Sequence, residues 1–373
     1  MTDKQPERKS DKQRARELKR AIDASAESIK RPVKLMEVCG THTVALFRHG
    51  IRSLLPDTIS LLSGPGCPVC VTSVKDVDIA LALAAREDVT LTTFGDMMRV
   101  PGGRENLFDA KAKGADVRIV YSPLDALKLA TKEPSRKVVF FATGFETTSP
   151  LVAATVLNAH REGVGNFYLH TVHKLVPPAM DVLLSSGEVD IDGFILPGHV
   201  CSITGTAPFE FLPDKFKKPS VVTGFGAIDI LEGILMVLKG MEEGAERVGI
   251  QYGSVVKAEG NPRAREALDE VFTPDDAYWR GIGSLPQSGL RLREPYARME
   301  ASGAGELVDI SDVPDHPEPR GCSCGEVLKG LKIPTDCPLF GKTCTPEKPV
   351  GACMVSAEGS CAAYYRYGGH GVR

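Results

Sequence analysis

The chain has 373 residues with a formal net charge of −3, 42% hydrophobic and 25% charged residues, the composition of a globular protein large enough for two or three domains with cores of their own. No overall basic field points to nucleic acid or to an acidic membrane surface. The N-terminus lacks the apolar core of a secretory signal and no apolar run reaches the roughly 18 residues of a membrane span. The expected location is the cytoplasm, where ten cysteines would serve as metal ligands or redox thiols rather than as a disulfide scaffold.

The first 34 residues carry eleven Lys or Arg against six Asp or Glu, with Leu18, Ile22 and Ile29 on one face of a helix. This reads as a solvated helix over residues 1–32, docked by its apolar stripe, and its expected dock is the C-terminal domain. From residue 33 short apolar runs alternate with helical segments: "VKLMEV", "TISLLS", "VTLTTF" and "VRIVYS" as strands, "VKDVDIALALAARE" and "PLDALKLATKE" as helices. A second series follows: "KVVFFAT", "NFYLHTV", "DGFILPG" and "PSVVTGF", with helices "PLVAATVLNAHRE" and "AMDVLLSSG" between them. The long helix "IDILEGILMVLKGMEEGAERV" closes it. Such alternation predicts an α/β protein with parallel, Rossmann-like sheets flanked by helices, divided into domains at 33–135 and 136–248. Residues 249–373 lose periodicity and gain Pro, Gly and Cys, with six cysteines from Cys322 to Cys361. A loop-rich domain of this kind calls for an inorganic core.

Open parallel sheets bind ligands beyond the carboxyl ends of their strands, and here nearly every strand ends in Gly with a Cys, His, Asp or Glu. "CGTH" puts Cys39 at a strand end just before a helix, with His42 three residues on. A free thiol has a pKa near 8.5, and a helix N-terminus or a nearby imidazolium can lower it by about one unit, worth about 1.4 kcal/mol. "GPGCPVC" holds Cys67 and Cys70 at i and i+3 in a loop stiffened by Pro65 and Pro68, a spacing that closes a small disulfide ring or grips one soft metal. It lacks the thioredoxin context, in which the motif leads straight into a helix. Glu146 in "GFETT", His199 in "PGHVC" and Asp229 in "GFGAID" lie where they could orient ligands or move protons, or be satisfied structural groups. Cys324, Cys337, Cys344 and Cys361 form C-x12-C-x6-C-x16-C, a spacing of neither the zinc ribbon nor the compact ferredoxin. Four thiolates on irregular loops suit a [4Fe–4S] cluster, with zinc as the competitor, and spacing alone leaves Cys322 and Cys353 in contention. "FGKT" and "GIGSLP" each lack a required glycine for phosphate or dinucleotide binding.

Taken together, "VCGTHT", "GPGCPVC", "FGDMMRVPG", "ADVRIVYSPLDAL", "GFETT", "PGHV" and "CGEVLKG…CPLFGKTC…EGSCAAYY" resemble the HypD family of hydrogenase maturation factors from about residue 33 to 367. The resemblance implies two α/β domains facing a cleft and a third domain with a [4Fe–4S] cluster. It also implies a role as the scaffold, with a HypC-like small partner, on which iron acquires two cyanides and one carbon monoxide as Fe(CN)2CO. A HypE-like protein would deliver the cyanides. By this resemblance Cys39, Cys67 and Cys70 are the essential cleft thiols and a transient iron site, with His42 beside the first, and Cys324, Cys337, Cys344 and Cys361 hold the cluster. The chain departs from the family at Gly226 and Ala227, where Glu-Pro is usual, and at Cys201, where Ser is common. A cluster-dependent cytosolic thiol–disulfide oxidoreductase acting on a protein substrate is the rival reading.

Overall fold

The computed structural model describes residues 10–303 and 307–368. All eight expected strands form: β1 (Val33–Glu37), β2 (Ile59–Ser63), β3 (Val89–Thr93), β4 (Val117–Ile119), β5 (Lys137–Ala142), β6 (Phe167–Thr171), β7 (Gly193–Pro197) and β8 (Ser220–Thr223). A two-residue strand, β9 (Gly249–Ile250), follows. The protein is α/β, with two all-parallel sheets flanked by helices.

The strands do not divide between the sheets at residue 135. The first sheet runs β2-β1-β7-β8-β9 and the second β4-β3-β5-β6, so the chain leaves the first sheet after β2, builds the second, and returns. β1 pairs in register with β2 (Glu37↔Ser63) on one side and with β7 (Glu37↔Ile195) on the other. The βα alternation is the same whichever sheet a strand joins, so the local pattern holds no record of its partners. Both sheets nevertheless share one order, in which the first strand of each lies inside and the order reverses beside it. That reversal falls between β1 and β7 in one sheet and between β3 and β5 in the other, the position where such folds bind ligands.

Side-chain alternation splits each sheet cleanly between two cores. Leu35, Ile195 and Val221 face one core of the first sheet, and Met36, Phe194, Leu196 and Val222 face the other. In the second sheet Leu91, Val139 and Phe141 oppose Val138, Phe140 and Leu169. The N-terminal helix Asp11–Ile29 starts from a Ser10/Gln13 capping box and buries Ile22 completely, as its stripe predicts. Its dock is not the C-terminal domain but the helix Ala227–Glu243 of the first sheet, because that helix supplies Ile230, Ile234 and Leu238 to the same core.

Beyond residue 250 the expectation of loops is only partly met. The helix Pro262–Val271 leads into an antiparallel hairpin of β10 (Phe272–Trp279) and β11 (Gly283–Leu292). The run "FTPDDAYW" has Pro and two Asp, poor strand formers, and it is held by pairing rather than propensity, with a register shift between Asp275 and Ala277. The remaining segment is short helical turns, and its last helix, Ser360–Tyr367, packs on the helix Gly40–Arg48 that follows β1. Among the described residues no helix is long and apolar enough to cross a membrane.

Candidate functional site: a path of sulfurs at the end of the first sheet

β1 ends in Glu37, Val38 and Cys39, and Cys39 is the residue that precedes the first turn of the helix Gly40–Arg48. The GPGCPVC loop leaves the neighbouring β2 and lies directly on it: the Gly40 amide donates to the Gly66 carbonyl at 2.8 Å. A Cβ on Gly66 would sit 2.2 Å from the Cys39 nitrogen, so only glycine allows the two backbones this close. Cys67 then opens a single helical turn, Pro68–Val71, and its sulfur accepts from the Cys70 amide at 3.3 Å. The pair thus sits on a helical turn of its own, which the sequence does not foretell, but that turn ends before Ser73 starts the next helix, Val74–Ala84, so the motif does not lead straight into a long helix.

The helix start does not activate Cys39. Burial pushes its pKa up to about 12, outweighing the amides of His42 and Thr41 that point at the sulfur, and Glu37 and Glu358 add to the rise. No imidazolium helps, since burial pulls His42 down to about 4 and its ring turns away to the loop after β8. There Nε2 lies 3.0 Å from the Gly224 carbonyl and 2.8 Å from Thr223 Oγ1, while Nδ1 has no partner among the described residues. Cys39 is thus a thiol, and a soft cation must displace its proton to gain it as a ligand.

Glu37 is a further functional candidate. It is fully buried, its Oε1 accepts from Thr43 Oγ1 at 2.5 Å and its Oε2 from the Cys39 amide at 3.1 Å, and burial pushes its carboxyl up to about 7. Its signal in the sequence is a carboxylate inside the apolar run VKLMEV. Glu358, which accepts from Thr41 Oγ1 at 2.8 Å, ties the C-terminal segment to the same loop and has no such signal.

The C-terminal cysteines meet the GPGCPVC pair through Cys353. The Cys70 sulfur lies within interaction range of those of Cys67 and Cys353, Cys353 within range of Cys324 and Cys361, and Cys324 within range of Cys322 and Cys361. Burial first, then contact with Cys353 and Cys67, raises the Cys70 thiol. The neighbouring Cys324, Cys361 and Cys70 thiols pull Cys353 in the opposite direction, down. Cys344 accepts from the Val350 amide at 3.3 Å, and Cys337 faces the Gly321 carbonyl at 3.8 Å, next to Cys322. Cys353 and Cys322 are the thiols that spacing alone could not place: chain distance is blind to a turn, Ala352–Met354, that packs on Pro68–Val71.

Of the other candidates, Glu146 is buried at the end of the second sheet, with Oε1 accepting from the Val176 amide at 2.9 Å and Oε2 without a partner among the described residues; burial pushes it up to about 7. It lies within electrostatic reach of Cys201, which in turn reaches Cys39, so the ends of the two sheets approach one another. His199 is exposed and stacks on Phe225 at 4.2 Å, and Phe225 also contacts the His42 ring at 4.6 Å. Asp229 accepts from the Gly226 amide and from Gln251 Nε2, a structural cap.

Among the described residues no three Cys, His, Asp or Glu side chains are already gathered on one metal position, so these neighbouring sulfurs do not yet form a cage. Their chemistry nonetheless fits an iron–sulfur cluster. The donors are soft thiols from separate loops, and only glycine at 351 lets the backbone lie against two of them, since a Cβ there would be 2.5 Å from the Cys324 sulfur and 2.6 Å from that of Cys322.

The fold and site define a double-sheet α/β protein whose first sheet ends in cysteines joined to a cysteine-rich C-terminal segment. The HypD family, described as the hydrogenase formation hypA family, matches residues 13–368. The hydrogenase maturation factor HypD2 of Bradyrhizobium diazoefficiens is 44% identical over 366 residues, 96% of this chain and 95% of that protein. HypD of Rhizobium leguminosarum bv. viciae is 44% identical over 362 residues (95% and 93%), and HypD of Azotobacter vinelandii 44% over 361 (95% and 94%). The chain belongs to the HypD family.

Proposed function

We propose that this chain acts in hydrogenase maturation as the scaffold on which iron receives its cyanide and carbonyl ligands, working with a HypC-like small partner and a HypE-like cyanide donor. The observation that carries this reading is the buried cluster that brings Cys67 and Cys70 together with Cys353, Cys361 and Cys324, with Cys39 against the same loop. The iron is cargo. Cys39, Cys67 and Cys70 are soft ligands suited to iron carrying strong-field diatomics, and their burial keeps water from competing.

Cys337, Cys344 and Cys361, with Cys324 or its neighbour Cys322, would hold a [4Fe–4S] cluster, which supplies electrons when bound. Cys353, which lies between the two sulfur groups, would pass reducing equivalents: a disulfide at Cys67 and Cys70 takes up two electrons and two protons to become two thiols ready for iron. Glu37 fixes the Cys39 backbone, and His42 and His199 brace Phe225 at the rim. The oxidoreductase reading draws on the same path and on the helical turn after Cys67; it differs in needing a protein disulfide as substrate and no iron cargo.

Anaerobic purification with iron, sulfide and zinc analysis tests the cluster: about four iron and four sulfide per chain are expected, and zinc without sulfide overturns it. Infrared spectra of the chain purified with its small partner should then show cyanide and carbonyl stretches, which Cys39→Ala abolishes while iron and sulfide content stay. Retained bands in that variant overturn the role of Cys39. Turnover of a protein disulfide with no such bands in the parent favours the oxidoreductase.

A further inference from the structure

The carboxyl end of β6 carries a second site that the sulfur chemistry does not use. A cavity of about 290 Å³ lies there, walled by the residues after β6 and by the β10–β11 hairpin. Two of its side chains are buried with hydrogen-bonding capacity left over. Lys174 is 3% exposed, and its ammonium, with three donors, has one partner among the described residues, Asp76 Oδ2 at the long distance of 3.5 Å. His173 is 1% exposed, and neither ring nitrogen has any partner there. Buried polar groups are ordinarily satisfied, and the adjacent His170 shows that this wall can do so: its Nδ1 meets Ser302 Oγ and its Nε2 the Asp76 carbonyl, both at 2.9 Å.

We propose that this cavity binds a small monoanionic carboxylate-type ligand, of the class of formate, acetate and bicarbonate, with its two oxygens shared between the Lys174 ammonium and a ring N–H of His173. Burial holds His173 neutral, its pKa pulled down to about 3, so it offers one donor and one acceptor rather than a second cation. Glu300, whose carboxyl burial pushes up to about 7, is within reach of the same space as a protonated donor or an acceptor. The rest of the wall holds Asp76, Asp275 and Asp276 against the single guanidinium of Arg291, which pairs with Asp275 at 3.2 Å; this acidic excess disfavours a multiply charged anion, and a volume at the bottom of the range for ligand cavities selects a ligand of a few heavy atoms. Lys174 donates its backbone N–H to the Gly144 carbonyl, and the Val176 amide holds Glu146, so an occupant would sit on the strut that positions that carboxyl.

The test titrates the full chain, exchanged into a buffer free of carboxylates, with formate, acetate, bicarbonate and inorganic phosphate by calorimetry, with 13C-formate line broadening as a second readout. Saturable binding of the monoanions is expected, weakened about tenfold or more by Lys174→Met and severalfold by His173→Phe, and kept by Lys174→Arg and by Cys39→Ala. If Lys174→Met does not fold, His173→Phe and His173→Gln carry the comparison. No saturable binding of any monoanion, binding unchanged in the His173 variants, or a preference for phosphate each overturns the proposal.

Discussion

The two sheets have the same strand order and reverse it at equivalent places, yet their ends carry opposite chemistry. Where β1 and β7 diverge, the residues beyond the strands are thiols packed under a cysteine-rich segment. Where β3 and β5 diverge, and along β6 beside them, the groups are oxygen and nitrogen donors: Glu146, His170, His173, Lys174 and Glu300. One frame thus presents a soft end suited to iron with strong-field ligands and a hard end suited to oxyanions. The difference teaches that the parallel sheet supplies a place, and that the few residues after each strand decide what binds there.

The sharpest break of this comparison is Cys353→Ser. It should abolish the cyanide and carbonyl bands of the partner complex while iron and sulfide content stay, because it cuts the sulfur path between its two ends; retained bands would leave the path without a role. Next is a matched pair of glycines. Gly66→Ala at the soft end forces a Cβ to 2.2 Å from the Cys39 backbone and should cost about 3 kcal/mol or prevent folding. Gly95→Ala at the hard end meets only Ile119 Cγ2 at 3.8 Å and should stay within about 0.5 kcal/mol in denaturant unfolding.

Glu146→Gln probes the hard end by pH. With its carboxyl pushed up to about 7 by burial from the ordinary 4.5, Glu146 contributes stability that is fully present below about 4.5 and is lost as pH rises through 7. Glutamine keeps an acceptor for the Val176 amide and does not ionise. The variant should therefore gain on the parent between those values, by about 2–3 kcal/mol at the upper end, and a flat difference across the range would contradict the buried carboxyl. Smallest is Arg14→Ala, which removes a half-exposed pair with Glu232 while Glu232 keeps its bond from Gln251 Nε2. It should cost about 0.5 kcal/mol and leave every spectroscopic signature intact.

Much of this contrast is legible along the chain. The eight strands, the helices between them and the cysteine at the end of β1 follow from local periodicity and from where Gly, Cys and His fall. The apolar stripe of the N-terminal helix was equally readable, but its dock was not, since Ile22 fits any apolar groove of the right width. The protonation of Cys39 was misjudged for a related reason: a helix start is visible in sequence and favours thiolate, whereas the burial that outweighs it comes from segments hundreds of residues away.

By itself, then, the sequence determined the elements, the family and the kinds of donor at each strand end, because periodicity and turn chemistry act over a few neighbouring residues. Only the tertiary structure decided which sheet takes each strand, which thiols gather around Cys353, and which buried side chains of the second sheet lack a partner among the described residues. Hydrogen-bond pairing across a sheet, desolvation and side-chain contact depend on residues distant in the chain, and no local pattern records them.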